Sequence, residues 1–346
     1  MGGTWLARAL LLAILPAATA GAAEPASRPL AVGYIPVFKG LERSIAKVDF
    51  ADYTHLDLAF VNPDKDGRIF DGSRFTCAQN GTGGMLGADS VRSVAAKAHA
   101  AGSKLLISLG GGGIPACSGD WSVLLQPGSR DRIVAGLIAA VDRLGLDGID
   151  VDIEGALLTK IDKEGNFTPF IAALSQALKA RGKLLACATA SYEGGMIPTA
   201  SVPFFDIVGV MSYDAIGNSW GKAGDEHSTV EQARKDVQLW LDRGVPKRKL
   251  ALGLPFYGYG YGRYRPNYNF RDIHAEYGGA ALLTDVIGSR CSECSYITYN
   301  GPPTLAEKGR LAGEKAGGVM VWEVSQDTDD RLLIRTVNEA VRRAAE

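Results

Sequence analysis

The feature that most limits how this chain can fold is a series of eight short apolar runs. Most are followed by a loop and a segment of helical periodicity. The runs occupy residues 30–38, 55–61, 104–110, 146–154, 183–190, 205–213, 249–257 and 318–324. Runs of this length, nearly all of them apolar throughout, are strands covered on both faces, as in a parallel sheet. Helices are predicted at 88–101, 129–144, 166–181, 228–244 and 330–343. In the second of these, Ile133, Leu137, Ile138, Val141 and Leu144 fall on one face. Asn166 starts the third and Gly182 stops it; Ser228 caps the fourth, with Glu231 completing a capping box. Eight strands spaced by helices are what a closed (β/α)8 barrel requires, the TIM barrel of the α/β class. Such a barrel keeps its site at the carboxyl ends of its strands. The connection 258–317 is read as irregular, a short or atypical insertion between strands seven and eight that sits over the site.

The fourth run departs from the apolar rule. It reads Leu146-Asp147-Gly148-Ile149-Asp150-Val151-Asp152-Ile153-Glu154. Strand alternation puts Asp150, Asp152 and Glu154 on one face and Ile149, Val151 and Ile153 on the other. Like charges side by side repel, so at least one of these acids holds its proton to unusually high pH. A carboxyl that is protonated near neutrality is a general acid. Carboxylates also bind hard cations, but the spacing does not fit a calcium-binding loop. A solvated edge strand is disfavoured, because the Ile/Val face needs burial. Asp147 has the opposite parity and is read as structural.

Net charge is −1, which argues against nucleic acid as a partner. At the amino terminus Arg8 precedes a short apolar run and a small-residue stretch that ends near Ala23. Residues 1–23 read as a secretory signal, 24–29 as a leader and 30–346 as one catalytic domain, so a secreted or periplasmic protein is expected. The apolar run is too short for a bilayer, and no membrane anchor is expected. Five cysteines are present. Cys291 and Cys294 can close a tight loop, Cys77 and Cys117 lie in loops and can pair, and Cys187 sits in an apolar strand as a free buried thiol.

Three further motifs accompany the acidic strand. Ser108-Leu109-Gly110-Gly111 ends the third run, Met211-Ser212-Tyr213-Asp214 ends the sixth, and Trp322 lies in the eighth. With the DGxDxDxE pattern of the acidic strand, the set resembles family 18 glycoside hydrolases, the chitinases and their relatives. The SxGG and MxYD motifs and the strand-eight Trp follow in the right order between about Val32 and Asp327. The stretch Gly253–Gly258 is similar to that family's seventh strand.

The resemblance implies a retaining, substrate-assisted hydrolysis of β-1,4-linked N-acetylglucosamine. Glu154 is the implied acid and later base. Asp152 holds the acetamide of the substrate, Asp150 hydrogen-bonds Asp152 and tunes its proton, and Tyr213 orients the acetamide oxygen. Asp214, Trp322, Tyr34, Met211 and Trp220 are the implied substrate-binding residues. The implied partner is an N-acetylglucosamine oligo- or polysaccharide, with no cofactor and no metal, and the protein is expected to be a monomer. Two other readings remain open: an endo-β-N-acetylglucosaminidase acting on N-glycan cores, and a sugar-binding lectin on the same fold.

Several residues keep a plain structural reading beside the functional one. Ser108 and its glycines read as tight packing around the acids, Trp240 as core, and His227 as a loop hydrogen bond. Trp121 and Trp220 are equally suited to stacking a sugar or anchoring a loop. The tyrosines from Tyr257 to Tyr268 crowd the start of the long connection and suit sugar binding. Asn80 and Asn166 head formal glycosylation sequons.

Overall fold

The computed structural model describes residues 1–3 and 28–346, so nearly all of the predicted secretory signal lies outside the described residues. Eight strands form its centre: β1 (Leu30–Pro36), β2 (His55–Ala59), β3 (Lys104–Gly110), β4 (Gly148–Asp152), β5 (Leu184–Thr189), β6 (Ile207–Val210), β7 (Leu250–Pro255) and β8 (Gly318–Trp322). Each pairs in parallel with its neighbours in sequence, and β8 pairs back onto β1, which closes the barrel. Helices cover the outside. Leu105, Ile107, Ile149 and Val151 face them and are buried, as the alternation requires. The inner face is filled by a separate cluster that includes Val32, Leu106, Ala186, Ala251 and Met320.

The strands end sooner than the apolar runs do. β1, β2, β6, β7 and β8 each stop two or more residues before the end of their run. The leftover residues, among them Phe38, Phe60, Tyr213 and Tyr257, curl over the carboxyl end of the barrel instead of pairing in its sheet.

The connection 258–317 is not irregular, contrary to the sequence expectation. Tyr257–Gly260, Asn267–Asn269, Val286–Gly288 and Tyr296–Thr298 form a four-stranded antiparallel sheet. Helix Phe270–Tyr277 follows the second of these strands, and helix Pro302–Lys315 leads back to the barrel. A three-stranded antiparallel unit, Phe70–Asp71, Arg74–Gln79 and Met85–Gly87, also fills the connection after β2. The fourth predicted helix begins one residue later than expected. Thr229, not Ser228, accepts the capping hydrogen bond from Gln232 N. Ser228 is engaged elsewhere: its hydroxyl donates to Ser212 O and accepts from Lys308.

Both proposed disulfides are present, Cys77–Cys117 and Cys291–Cys294, and Cys187 is a buried free thiol. The first ties the antiparallel unit after β2 to the loop after β3.

Candidate active site

A cleft of about 460 Å³ opens at the carboxyl ends of the strands. Asp152, Glu154, Tyr34, Met211, Tyr213, Asp214 and Trp322 all line it. Trp220 does not. It is half-exposed, donates from its indole N–H to Asp214 O, and meets Tyr259 edge to face, so it braces the Asp214 loop.

The acids reach the cleft because β4 is short and is approached closely by β3. Gly110 and Gly111 both have positive φ, and Gly111 N donates to Asp152 O at 2.7 Å. A Cβ on Gly110 would lie 2.4 Å from that same oxygen. Here glycine is required by backbone conformation and by space. Beyond it, Gly112 passes against the Glu154 carboxyl.

Asp150 is fully buried. Its Oδ2 accepts from the Tyr34 hydroxyl at 2.9 Å and from Ser108 Oγ at 2.6 Å. Two hydroxyl donors aimed at one oxygen fit a carboxylate that serves as an acceptor, not as a cation ligand. Ser108 therefore does more than pack. Burial pushes Asp150 up to about 6 even with those donors. Asp152 hydrogen-bonds Glu154 rather than the Asp150 expected from the sequence, and its Oδ1 has no partner in the protein. Burial, then the charges of Glu154 and Asp150, hold Asp152 well above the ordinary carboxyl range. Glu154 is pushed up to about 7, chiefly by burial, with the Asp214 charge adding to it and the Asp152 hydrogen bond opposing it. The strand thus presents a hydrogen-bonded carboxyl pair, Asp152 and Glu154, with both members shifted toward the protonated form.

Asp214 sits in a left-handed conformation, φ 62°. Tyr257 donates to its Oδ1 at 2.5 Å and Tyr259 at 3.1 Å, and His227 Nδ1 lies 3.6 Å away. His227 is wholly buried among these rings, and burial lowers its pKa, so it is a neutral neighbour. Two residues of the site, Phe38 and Phe60, were not singled out in the sequence. Phe60 stacks on Trp322 at 5.7 Å and 21°, and Phe38 stacks on Phe60 at 6.5 Å and 9°. The three rings make one continuous apolar strip. Lys39, beside Phe38, pairs with the buried Glu323 beside Trp322 at 2.8 Å and ties the strip's ends together.

The family model for glycosyl hydrolases family 18 matches residues 31–327. The chain belongs to glycoside hydrolase family 18. It is a chitinase-like glycosidase built on that family's barrel. A class V chitinase of Arabidopsis thaliana is 25% identical over 279 residues, which cover 68% of this chain and 73% of that protein. A probable chitinase of Drosophila melanogaster is 28% identical over 180 residues, covering 45% of this chain but only 8% of that much longer protein. Among solved structures, the family 18 chitinase from the chitin utilization locus of Flavobacterium johnsoniae superposes with a TM-score of 0.73 at 28% identity, covering 91% of this chain and 94% of that one.

The remaining sequence readings fall to structural roles. Asp147 accepts from Leu105 N and pairs with His99 at the far side of β4. Trp240 is core. Trp121 is buried and donates to Asn62, so it anchors its loop and is not a platform for sugar. Asn166 is buried and accepts from Arg130, which leaves its sequon inaccessible.

Proposed function

We propose that this glycosidase is an exported enzyme that cleaves β-1,4-linked N-acetylglucosamine chains with the substrate's own acetamide as nucleophile. One observation carries the mechanism: each carboxyl near Glu154 is held by a partner through one of its oxygens. Asp150 is sealed by two hydroxyls, Asp214 is capped by two tyrosines, and Asp152 is bound to Glu154. A retaining glycosidase with a protein nucleophile needs a second carboxylate free to attack. Without one, the attacking oxygen comes from the substrate.

In this reading the Glu154 O–H protonates the glycosidic oxygen, and the C–O bond to the leaving sugar breaks as the acetamide carbonyl oxygen bonds to the anomeric carbon. The unpartnered Asp152 Oδ1 accepts the acetamide N–H and turns the negative end of the carboxyl toward the oxazolinium ion. The Tyr213 hydroxyl, whose nearest partner is the sulfur of Met320 at 3.6 Å, turns to the acetamide oxygen. Glu154, now ionised, takes a proton from water, which opens the ring with its configuration retained. Trp322, Phe60 and Phe38 offer ring faces to successive sugars. A series of rings suits a linear chain of sugars better than a branched glycan.

Export is supported by the signal-like residues 1–23 and by the two disulfides, which belong to an oxidising compartment. The test is product analysis on chitooligosaccharides and on a high-mannose glycoprotein, side by side. The reading expects cleavage of the former alone. Release of the glycan at its GlcNAc–GlcNAc core would transfer the assignment to the N-glycan reading.

A further inference from the structure

One acid in the barrel has no part in the steps above. Asp57 lies at the middle of β2, in register with Tyr34 of β1 and Leu106 of β3. Leu56 and Leu58 belong to the outer layer, so Asp57 points into the barrel with Ala59. It is 1% exposed, and neither carboxyl oxygen has a hydrogen-bond partner. An unpaired polar group in such a place is a cost that a small apolar side chain would remove.

The titratable groups that face it are few. Tyr34 comes from β1, and Asp150 and Asp152 come from β4. The other strands line the interior with uncharged residues such as Leu106, Ala186, Ile207, Ala251 and Met320. His55, two residues earlier on the same face, hydrogen-bonds Thr54 at the amino end of the strand. The neighbour that matters is therefore Asp150. In this apolar interior charge is poorly screened, and two adjacent carboxyls do not both ionise.

We propose that Asp57 is a positioning residue of the catalytic acids: a neutral carboxyl at the barrel centre that keeps Asp150 the charged member of the pair. The two differ in what holds them. Asp150 has two hydroxyl donors and can carry a charge; Asp57 has none. Burial and the Asp150 charge both raise the pKa of Asp57, so its proton stays on. The neutral but polar carboxyl gives the Asp150 anion a dipole to face in place of hydrocarbon. This inference rests on the substrate-assisted reading for its effect on turnover, but not for its claim about where the proton sits.

The experiment compares Asp57→Asn and Asp57→Val in the full chain. It reads the pH profile of kcat and KM on chitotetraose, Tm, and the infrared band of protonated carboxyls at neutral pH. Asn is neutral and polar, so its acid limb should match wild type while one protonated-carboxyl band disappears. Val is neutral and apolar, so the acid limb should move up by about one pH unit as the Asp150 anion loses its dipole. KM should stay near wild type, and Tm should rise by a few degrees, because an unpaired polar group has been replaced by an apolar one. A purely structural Asp57 predicts the opposite sign in Tm. A downward shift of the acid limb in the Asn variant would mean that Asp57 is ionised. An unmoved limb in the Val variant would mean that it does not act on Asp150. Either result overturns the proposal. If the Val variant does not fold, the Asn profile and its infrared difference still decide. If wild type fails to cleave chitotetraose, the functional reading falls, while the infrared and Tm results still judge Asp57.

Discussion

Two arcs of the barrel rim meet at Glu154 and are built on opposite chemistry. The arc from β8 through β1 to β2 carries Trp322, Phe38 and Phe60, near-parallel rings offset from one another. The arc of β6 and β7 carries Asp214, Tyr257, Tyr259 and His227, joined edge to face and by hydrogen bonds to one carboxylate. The first arc offers apolar area, and its neighbouring charges, Lys39 and Glu323, neutralise each other. The second places a charge near Glu154 and fixes it with neutral donors. Changes in the first arc should therefore act on binding, and changes in the second on the pH at which the acid works. Glu154 itself, between the two, should control turnover outright.

The largest effect is expected where the arcs meet. Glu154→Gln should lower kcat by about a hundredfold or more while sugar binding persists. It should also alter stability in a defined pH window. Glu154 has a raised pKa in the folded protein, so its contribution is full below the ordinary value of 4.5 and is lost as pH rises through about 7. The Gln variant lacks that loss. Its Tm relative to wild type should climb across this window and then level off, as thermal melts at successive pH values would show. Turnover close to wild type would remove Glu154 from its role.

A smaller effect belongs to the charged arc. The Asp214 charge helps to hold the proton on Glu154, so Asp214→Asn should move the basic limb of the kcat profile to lower pH. A limb that stays in place would show that the arc positions substrate without tuning the acid. The smallest effect is expected at the end of the aromatic strip. Phe38→Ala should raise KM for long oligosaccharides by up to about tenfold. Its kcat and both limbs of its pH profile should be unchanged. A shifted pH profile would erase the division between the arcs.

The two arcs were not equally legible in the sequence. Asp214 and Trp322 belong to motifs, whereas Phe38 and Phe60 are single aromatics at the ends of apolar runs, where core residues look the same. Asp57 was hidden for a related reason. In His55-Leu56-Asp57-Leu58-Ala59 it reads as the polar position of an alternating strand, and only closure of the barrel turns that face inward. The eight strands were readable because double-sided burial demands continuous apolar runs. The added antiparallel strands were not, because they are two to six residues long and lie among glycines and polar residues. Helix Pro302–Lys315 was missed because it contains Gly309 and Gly313, which weaken a helix signal. Both are explained by tertiary contact: a Cβ at either would press on the final helix, Leu332–Ala345, at Ala340 or Val341. The strand-four acids were found by parity, but the partner of Asp152 was not, since spacing along a strand does not say which way a carboxyl turns.

The central claim is that the substrate supplies the nucleophile, and the most direct measurement is an NMR time course of fresh product from chitotetraose with cellotetraose as control. Cellotetraose has no acetamide, and loss of a positioned neighbouring nucleophile removes several kcal/mol of catalysis. The account predicts β-anomer product at the earliest times and no cleavage of cellotetraose. Initial α-anomer, or cellotetraose cut at a comparable rate, would contradict it.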